Sequence, residues 1–476
     1  MEYDAIFAKS FSKNEQKKFG YGALIALMFI ALTSFTVFKP SFSNLPILNL
    51  QLSIDAGLRM LMIEDTSSPV QRSSSEILKQ EINKVANSEM KPSVCNVLEP
   101  RSDFCELDGD IRIDGNSSTV LFTSSQNGIF MGNESWRIRP YPRKGDNWAM
   151  KSVNELSVKS FLENDKQAPD CDINHNVPAV IFSIGGYAGN QFHDFSEVLV
   201  PLFVTSQQFH QEVQFLVTDT KPYWISKYEP ILKQLSRYPI IDIDKENNIH
   251  CYRKVIVGLK YHKDIGIDPL KSPKGYSMMD FAQFLRNSYA LKRSSAINAE
   301  DLKTKKPRLL LVSRKRTRRF SNEAEIANMA KNLGYEVIVA EPGVTATSLR
   351  FAHIVNSCDV MMGVHGAGLT NLLFLPTNAI LIQIIPLGGL EWFAKHCYGD
   401  PAEAMNLRYL EYKIREEESS LIEEYPLDHA VFRDPLSFAK QGWNALKSVY
   451  LDKQNVKLDV GRLRATLLEA LELLHH

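Results

Sequence analysis

The sequence has no excess of charge of either sign. Lys and Arg together number 55 and Asp and Glu 55, so the formal net charge is zero, and the electrostatic footprint of a nucleic-acid-binding chain is missing. No Cys-x-x-Cys pair occurs, which argues against a zinc ribbon. No Gly-x-Ser-x-Gly turn occurs, which argues against a hydrolase with a serine nucleophile. Internal repeats are also missing. Hydrophobic residues nonetheless fill 44% of 476 positions and aromatics 10%. That is enough for two ordinary domains, each with its own core, and it excludes disorder as the overall state.

One long uncharged apolar run stands out, FGYGALIALMFIALTSFTVF at residues 19–38. At helical rise it matches the roughly 30 Å core of a bilayer. It ends in Phe35, Val37 and Phe38 rather than in the small residues of a cleavage site, so an uncleaved anchor is expected. Lys9, Lys13, Lys17 and Lys18 precede it; by the positive-inside tendency residues 1–18 form a cytosolic tail and everything after Lys39 is lumenal. Residues 39–92 are polar and Ser-rich, with one helix-like stretch near 75–87, and read as a stem. Asn116-Ser117-Ser118 and Asn133-Glu134-Ser135 are glycosylation acceptors in such a compartment. The cysteines are Cys95, Cys105, Cys171, Cys251, Cys358 and Cys397, an even count suited to oxidation. Six thiols allow fifteen full pairings. Cys95 with Cys105 is the simplest single pair.

The remaining head divides in two. In residues 93–300, AVIFSIG (179–185) and VQFLV (213–217) read as buried strands, with helical stretches at 193–209 and 223–235. In residues 301–432, PRLLLVSR (307–314), EVIVA (336–340), DVMMGV (359–364) and AILIQIIP (379–386) are strands that alternate with helices near 322–333 and 346–356. Such alternation predicts parallel sheets covered on both faces, in two halves joined near 295–306 and facing a cleft. Helical patterns near 434–451 and 459–474, within a segment 433–476, are expected to cross back and brace the first half.

The stretch CDVMMGVHGAGLTN, 358–371, runs the third of these later strands into a turn of small residues. Ligands of open parallel sheets sit beyond the strands' carboxyl ends, where a starting helix points free N–H groups and a positive dipole outward. Gly366, Ala367 and Gly368 keep that turn unobstructed, and His365 and Asn371 add hydrogen-bonding side chains. SRKRTRR (313–319) follows the first strand of the same half. Arg314, Arg318 and Arg319 are therefore candidates for bidentate bonds to a diphosphate held at Gly366. Glu391, in PLGGLEW after the fourth strand, suits the paired hydroxyls of a ribose. Asp108-Gly109-Asp110 and Asp242-Ile243-Asp244 have a spacing compatible with a metal-held sugar diphosphate; neither adjoins the arginine and glycine elements.

DVMMGVHGAGLTNLLFLP, AILIQIIPLGG, HCYGDPAEAMNLRYLEY and EEESSLIEEY, with GNQFHDFSEVLVPLF at 189–203 upstream, together resemble glycosyltransferase family 61. More narrowly they look like its plant branch, which decorates xylan with pentoses. The resemblance covers roughly residues 90–474. It implies an α/β GT-B fold, two Rossmann-like domains facing a cleft behind the single transmembrane helix and stem. It implies a UDP-sugar donor, UDP-arabinofuranose or UDP-xylose, on the second domain and a xylan acceptor on the first. It implies an inverting reaction that uses no metal cofactor, at the Golgi membrane and among other Golgi glycosyltransferases.

Inversion needs a base for the acceptor hydroxyl and cations or N–H dipoles for the leaving diphosphate. GNQFHDFSEVL offers Glu197, then His193, then Asp194 as the base; His193 and Glu197 are four apart and share a helical face. The family's stretch carries a shorter acid where this chain has Glu197, and an aromatic where it has Gln191. Acceptors on glycoprotein glycans, taking β-1,2-xylose or N-acetylglucosamine, are the alternative within the family. A membrane-tethered glycan-binding protein without turnover is the alternative of another class. It would have little reason to keep the arginines, the Gly366 turn and Glu391 together.

Overall fold

The computed structural model describes residues 94–123, 135–161, 168–343 and 348–475. The apolar run 19–38, the stem and Asn133 lie outside these residues. Among the described residues no helix is long and apolar enough to cross a membrane.

The first lobe is built on ten strands: β1 (Cys95–Asn96), β2 (Phe104–Asp114), β3 (Thr119–Phe122), β4 (Ser135–Ile138), β5 (Leu156–Ser160), β6 (Ile173–Asn174), β7 (Ala179–Ser183), β8 (Gln214–Thr218), β9 (Ile241–Asp242) and β10 (Ile249–Val257). They run in the order β4-β5-β3-β2-β10-β7-β8-β9, with β1 beside β2 and β6 beside β10. Every residue of β7 and β8 is buried. That is why these two read as continuous apolar runs: parallel strands at a sheet's centre are covered on both faces. β10, β7, β8 and β9 are parallel. The expectation of a wholly parallel first sheet is corrected on the other side of β10, where β2 pairs antiparallel. In β2 the inward residues Cys105, Leu107, Ile111 and Ile113 alternate with half-buried and exposed ones. Such a strand buries one face only, so it carries no apolar run.

The second lobe is a five-stranded sheet of β11 (Arg308–Val312), β12 (Glu336–Ala340), β13 (Val360–Val364), β14 (Ile380–Ile385) and β15 (Arg408–Lys413). All neighbours are parallel, in the order β12-β11-β13-β14-β15. The expected strands and the helices Glu323–Asn332 and Ser348–Asn356 are present. The molecule is thus mixed α/β with Rossmann-like parallel cores.

Both C-terminal helical stretches pack on the second lobe, which corrects the expectation that they return to the first. Val449 and Tyr450 share a core with Ile385, Leu390 and Leu421. In the last helix, Val460–His475, residues Leu463, Leu467, Ala470 and Leu474 are buried, and the Tyr335 hydroxyl donates to the Leu467 carbonyl at 2.8 Å. Its apolar stripe is matched to Glu323–Asn332, the helix beside it.

One apolar core runs through both lobes. At the seam Phe374 of the second lobe meets Phe195 at 6.0 Å and Tyr289 at 5.0 Å between ring centroids. Two disulfides tie down the first lobe, Cys95–Cys105 between β1 and β2 and Cys171–Cys251 beside β6 and β10. The second spans 80 residues of sequence, a loop whose closure disfavours the unfolded chain by about 2–4 kcal/mol. Cys358 and Cys397 are buried free thiols.

Candidate active site

In sequence numbering the second sheet runs 2-1-3-4-5, so the strand order reverses between β11 and β13. A crevice at such a reversal is where open α/β sheets bind ligands. Arg314 leaves the carboxyl end of β11 and the His365–Gly368 turn leaves that of β13, so the two expected elements do converge. Gly366 has φ +146°, and a Cβ built on it would stand 2.6 Å from Arg318 Nη1 and 2.8 Å from Arg314 Nη1. Only glycine permits both that backbone and that closeness. The helix that follows, Ala367–Phe374, is a 3-10 helix rather than an α-helix. Its first turn still leaves leading N–H groups, including Ala367 and Gly368, without an intrahelical acceptor.

The two guanidiniums crowd each other. Arg314 Nε donates to the Thr317 carbonyl at 2.9 Å and Arg318 Nη1 to the His365 carbonyl at 2.8 Å. Among the described residues neither forms an ion pair, and Arg318 Nε is buried without an acceptor. Burial and then Arg314 pull Arg318 down to about 10; burial also lowers Arg314. Glu341 and Asp452 act on Arg314 and Arg318 through space, but among the described residues no carboxylate is bonded to either guanidinium, and two cations so held make a site for an anion. His365 adds no charge: burial, then Arg318 and Arg314, push its imidazole down to about 3. Its Nδ1 accepts from Gln383 Nε2 at 2.8 Å, and the Gln383 oxygen accepts from the Tyr409 hydroxyl at 2.8 Å. The ring is therefore fixed as the tautomer with hydrogen on Nε2.

The parallel part of the first sheet reverses between β7 and β10. Beyond β7 the chain turns through Gly185–Asn190 into a helical run, Gln191–His193, Asp194–Leu199 and Val200–Ser206. Its middle turn is π, with Val200 N–H bonding the Phe195 carbonyl five residues back. Pro201 has no N–H for the Glu197 carbonyl, the defect that lets the helix widen. His193 Nδ1 lies 2.7 Å from Glu197 Oε1. Glu197 is fully buried, bonded also to Arg143 Nη1 at 2.7 Å and to the Tyr141 hydroxyl. Burial pulls Arg143 down, but Glu197, then Asp264 and Asp146, outweigh it and hold its charge above the ordinary range. Burial and then Glu197 raise Tyr141, so the phenol stays a donor. His193 keeps 20% of its side chain exposed, against none for Glu197, and lies under the Tyr187 ring at 4.7 Å.

Asp194 is spoken for. Its carboxylate accepts from Gly189 N (2.7 Å), Trp224 Nε1 (2.7 Å), Lys227 Nζ (3.2 Å) and the Tyr228 hydroxyl (2.7 Å). It fixes the glycine loop and the following helices and has no lone pair directed at a ligand. Arg319 is exposed, with its backbone tied to Asn455 and Val456. Glu391 is exposed at the start of the short helix Glu391–Ala394. Asn116 is exposed in the β2–β3 turn. The Asp-x-Asp pairs serve elsewhere: Asp108 and Asp110 meet Lys254 and Arg112, Asp242 meets Lys245, and Asp244 accepts from Thr218 and Asp219 N. Among the described residues no group of three or more His, Cys, Asp or Glu could hold a metal. A hollow of about 500 Å³ lies at the opposite, amino-terminal ends of β11 and β13. Its arginines are neutralised, Arg293 by Asp359 at 2.5 Å and Arg308 by Glu336 at 3.1 Å.

The two reversal points face each other. Gln191 Nε2 donates to Asn371 Oδ1 at 2.9 Å, and Phe192 meets Tyr398 at 5.8 Å. Tyr398 in turn packs on His365 at 5.5 Å. Few side chains therefore separate the His193–Glu197 pair from the paired guanidiniums. The sequence profile of glycosyltransferase 61 matches residues 192–382, a span that holds both. Alpha-1,3-arabinosyltransferase XAT3 of Oryza sativa subsp. japonica is 48% identical over 397 residues, 83% of this chain and 68% of the relative.

The chain belongs to glycosyltransferase family 61.

Two further relatives bracket it. Beta-1,2-xylosyltransferase XYXT1 of the same rice is 45% identical over 80% of this chain and 84% of its own length. Xylan glycosyltransferase MUCI21 of Arabidopsis thaliana is 34% identical over 93% and 90%. Sequence reasoning about this glycosyltransferase missed Tyr141 and Arg143, which lie 56 and 54 residues before the carboxylate they grip. The basic stretch RIRPYPRK (137–144) was visible; no spacing rule connects it to Glu197. Gln383 and Tyr409 were likewise hidden, as strand residues whose partner is set by β14–β15 register.

Proposed function

We propose that this glycosyltransferase moves a pentose, arabinofuranose or xylose, from a UDP-sugar to the xylan backbone in plant cell-wall synthesis. The displacement is single and inverting and uses no metal, and the two lobes act as the halves of a GT-B enzyme. The observation that carries the reading is the Arg314–Arg318 pair at Gly366, with no carboxylate bonded to either among the described residues, opposite a partly exposed histidine backed by a buried carboxylate. The activities that the rice and Arabidopsis relatives are named for support the pentose and the xylan acceptor. The chain spans about two thirds of the length of the arabinosyltransferases it matches. Residues 19–38, as an anchor, place the head in the Golgi lumen as a single-pass type II protein.

The chemistry assigns His193 as the base and Glu197 as the group that orients it. His193 Nδ1–H donates to Glu197, which leaves Nε2 to take the proton of the acceptor hydroxyl. The freed oxygen attacks the anomeric carbon while the bond to the diphosphate breaks on the far side. Charge gathering on the leaving UDP meets Arg314, Arg318 and the main-chain N–H groups after Gly366. Glu197, clamped by Arg143 and Tyr141, then balances the imidazolium.

The test is a panel of UDP-arabinofuranose and UDP-xylose against xylohexaose, with products identified by mass and linkage. His193→Ala is expected to lower kcat by roughly 10²–10⁴-fold, and EDTA to leave the rate unchanged. Transfer to glycoprotein glycans with none to xylohexaose would overturn the acceptor assignment. A full rate in His193→Ala would overturn the base.

A further inference from the structure

We propose that Trp148, with Tyr223 at the same end of the first sheet, provides an aromatic platform that binds the acceptor glycan outside the catalytic pair. The inference rests on the proposed transfer to a xylan-type acceptor. Trp148 is 75% exposed and Tyr223 59%. Neither exposure is explained by packing in the first lobe, and large apolar surface left in water next to a binding site marks an interaction surface.

Position supplies the argument. The segment that carries Trp148 lies directly over the carboxyl end of β7: a Cβ at Gly185 would stand 2.1 Å from the Ser152 carbonyl, and one at Gly186 2.4 Å from the Tyr141 ring. Trp148 sits in a four-residue helix, Asn147–Met150, capped by Asp146, which accepts from Trp148 N at 3.2 Å and Ala149 N at 3.1 Å. The same carboxylate accepts from Arg143 Nε at 3.2 Å and the Tyr187 hydroxyl at 3.1 Å. Arg143 grips Glu197, and the Tyr187 ring packs at a tilt against His193. One aspartate thus orients the helix that carries the exposed indole and braces both sides of the proposed base. Tyr223 follows β8, at the same end of the sheet, and its hydroxyl lies 2.8 Å from where a Cβ of Gly189 would be. The segment that carries Trp148 and the Tyr223 ring therefore both border the glycine loop that leads into His193.

The chemistry of the platform points to a pyranose chain. An aromatic face is electron-rich, and the faces of a β-linked xylopyranose present C–H groups with no hydroxymethyl arm to lift them away. The platform should then favour acceptors of several units over short ones.

Xylohexaose and xylobiose are titrated by calorimetry into the full chain, into Trp148→Ala and Trp148→Phe, and into Leu436→Ala, an exposed apolar control on the second lobe. Trp148→Ala is expected to weaken xylohexaose binding about tenfold or more and to erase the advantage of the longer chain. Trp148→Phe recovers part of it, and Leu436→Ala matches the wild type. Xylohexaose binding of wild-type strength in Trp148→Ala overturns the platform and leaves the transferase reading standing. So does a Trp148→Ala chain whose only change is from dimer to monomer, which assigns the indole to a second copy. A wild type that binds xylohexaose through Trp148 yet releases no UDP keeps the platform and overturns the transferase reading.

Discussion

Arg318 gathers three unfavourable features in one residue: a φ of +53°, a buried Nε with no acceptor among the described residues, and a neighbouring guanidinium. Its backbone is held there by the Gln454 carbonyl, which takes its N–H at 2.8 Å. Strain of this kind persists where a ligand offsets it. Arg318→Gln is therefore expected to raise the melting temperature of the free protein by about 2 °C while weakening UDP at least tenfold, read by calorimetry and titration. The pH dependence has a definite sign. Bound diphosphate favours the charged guanidinium, and burial and Arg314 lower Arg318 to about 10, so UDP affinity is expected to fall as pH rises through that value, with a proton taken up on binding. Below that value Arg318 contributes no slope. At this scale the sequence was informative about kinds of residue and poor about their roles. His193 and Glu197 were legible as a pair from their four-residue spacing, but which of them meets solvent depends on Tyr141 and Arg143, brought in by the fold. Asp194 looked like a third acid because nothing local betrays its four donors.

The turn after β13 shows how one element divides its work between two glycines. At Gly366 a side chain meets both arginines at under 3 Å and faces a left-handed backbone; at Gly368 the nearest atom, Val312 Cγ1, is an ordinary 3.5 Å away. Gly366→Ala is expected to displace the guanidiniums and lower kcat/KM for the UDP-sugar roughly a hundredfold. Gly368→Ala should leave the melting temperature unchanged, so a fall in UDP affinity in that variant reports close approach of the ligand to the main chain. Steady-state kinetics with a thermal melt on each variant separates the two. The strand and the turn were legible because a fully buried parallel strand ending in small residues has few other readings. The flank β1 to β5, antiparallel except where β3 lies parallel to β5, was not: its apolar residues come every second position, interrupted by Asp108 to Asp110, and its partner, β10, lies far along the chain.

Two sheets suggest two independent bodies, yet the apolar core is shared between them. Phe374 stands at its middle, against Phe195 and Tyr289. Phe374→Ala is expected to cost about 3–5 kcal/mol and to lower the stability of both lobes together. Denaturant unfolding of the wild-type head should accordingly give one transition, coincident by tryptophan fluorescence and far-ultraviolet circular dichroism; two separated transitions would contradict the shared core. The two-lobed plan was legible from the recurrence of strand and helix; the joining of the lobes was not, since Phe195 and Phe374 are ordinary apolar residues until the fold opposes them. The seam also limits how sugar preference can be re-engineered. A hybrid that takes its first lobe from an arabinosyltransferase and its second from a xylosyltransferase inherits two halves of a jigsaw cut by different hands, and it will express only if the matching faces at positions 195, 289 and 374 travel with the graft.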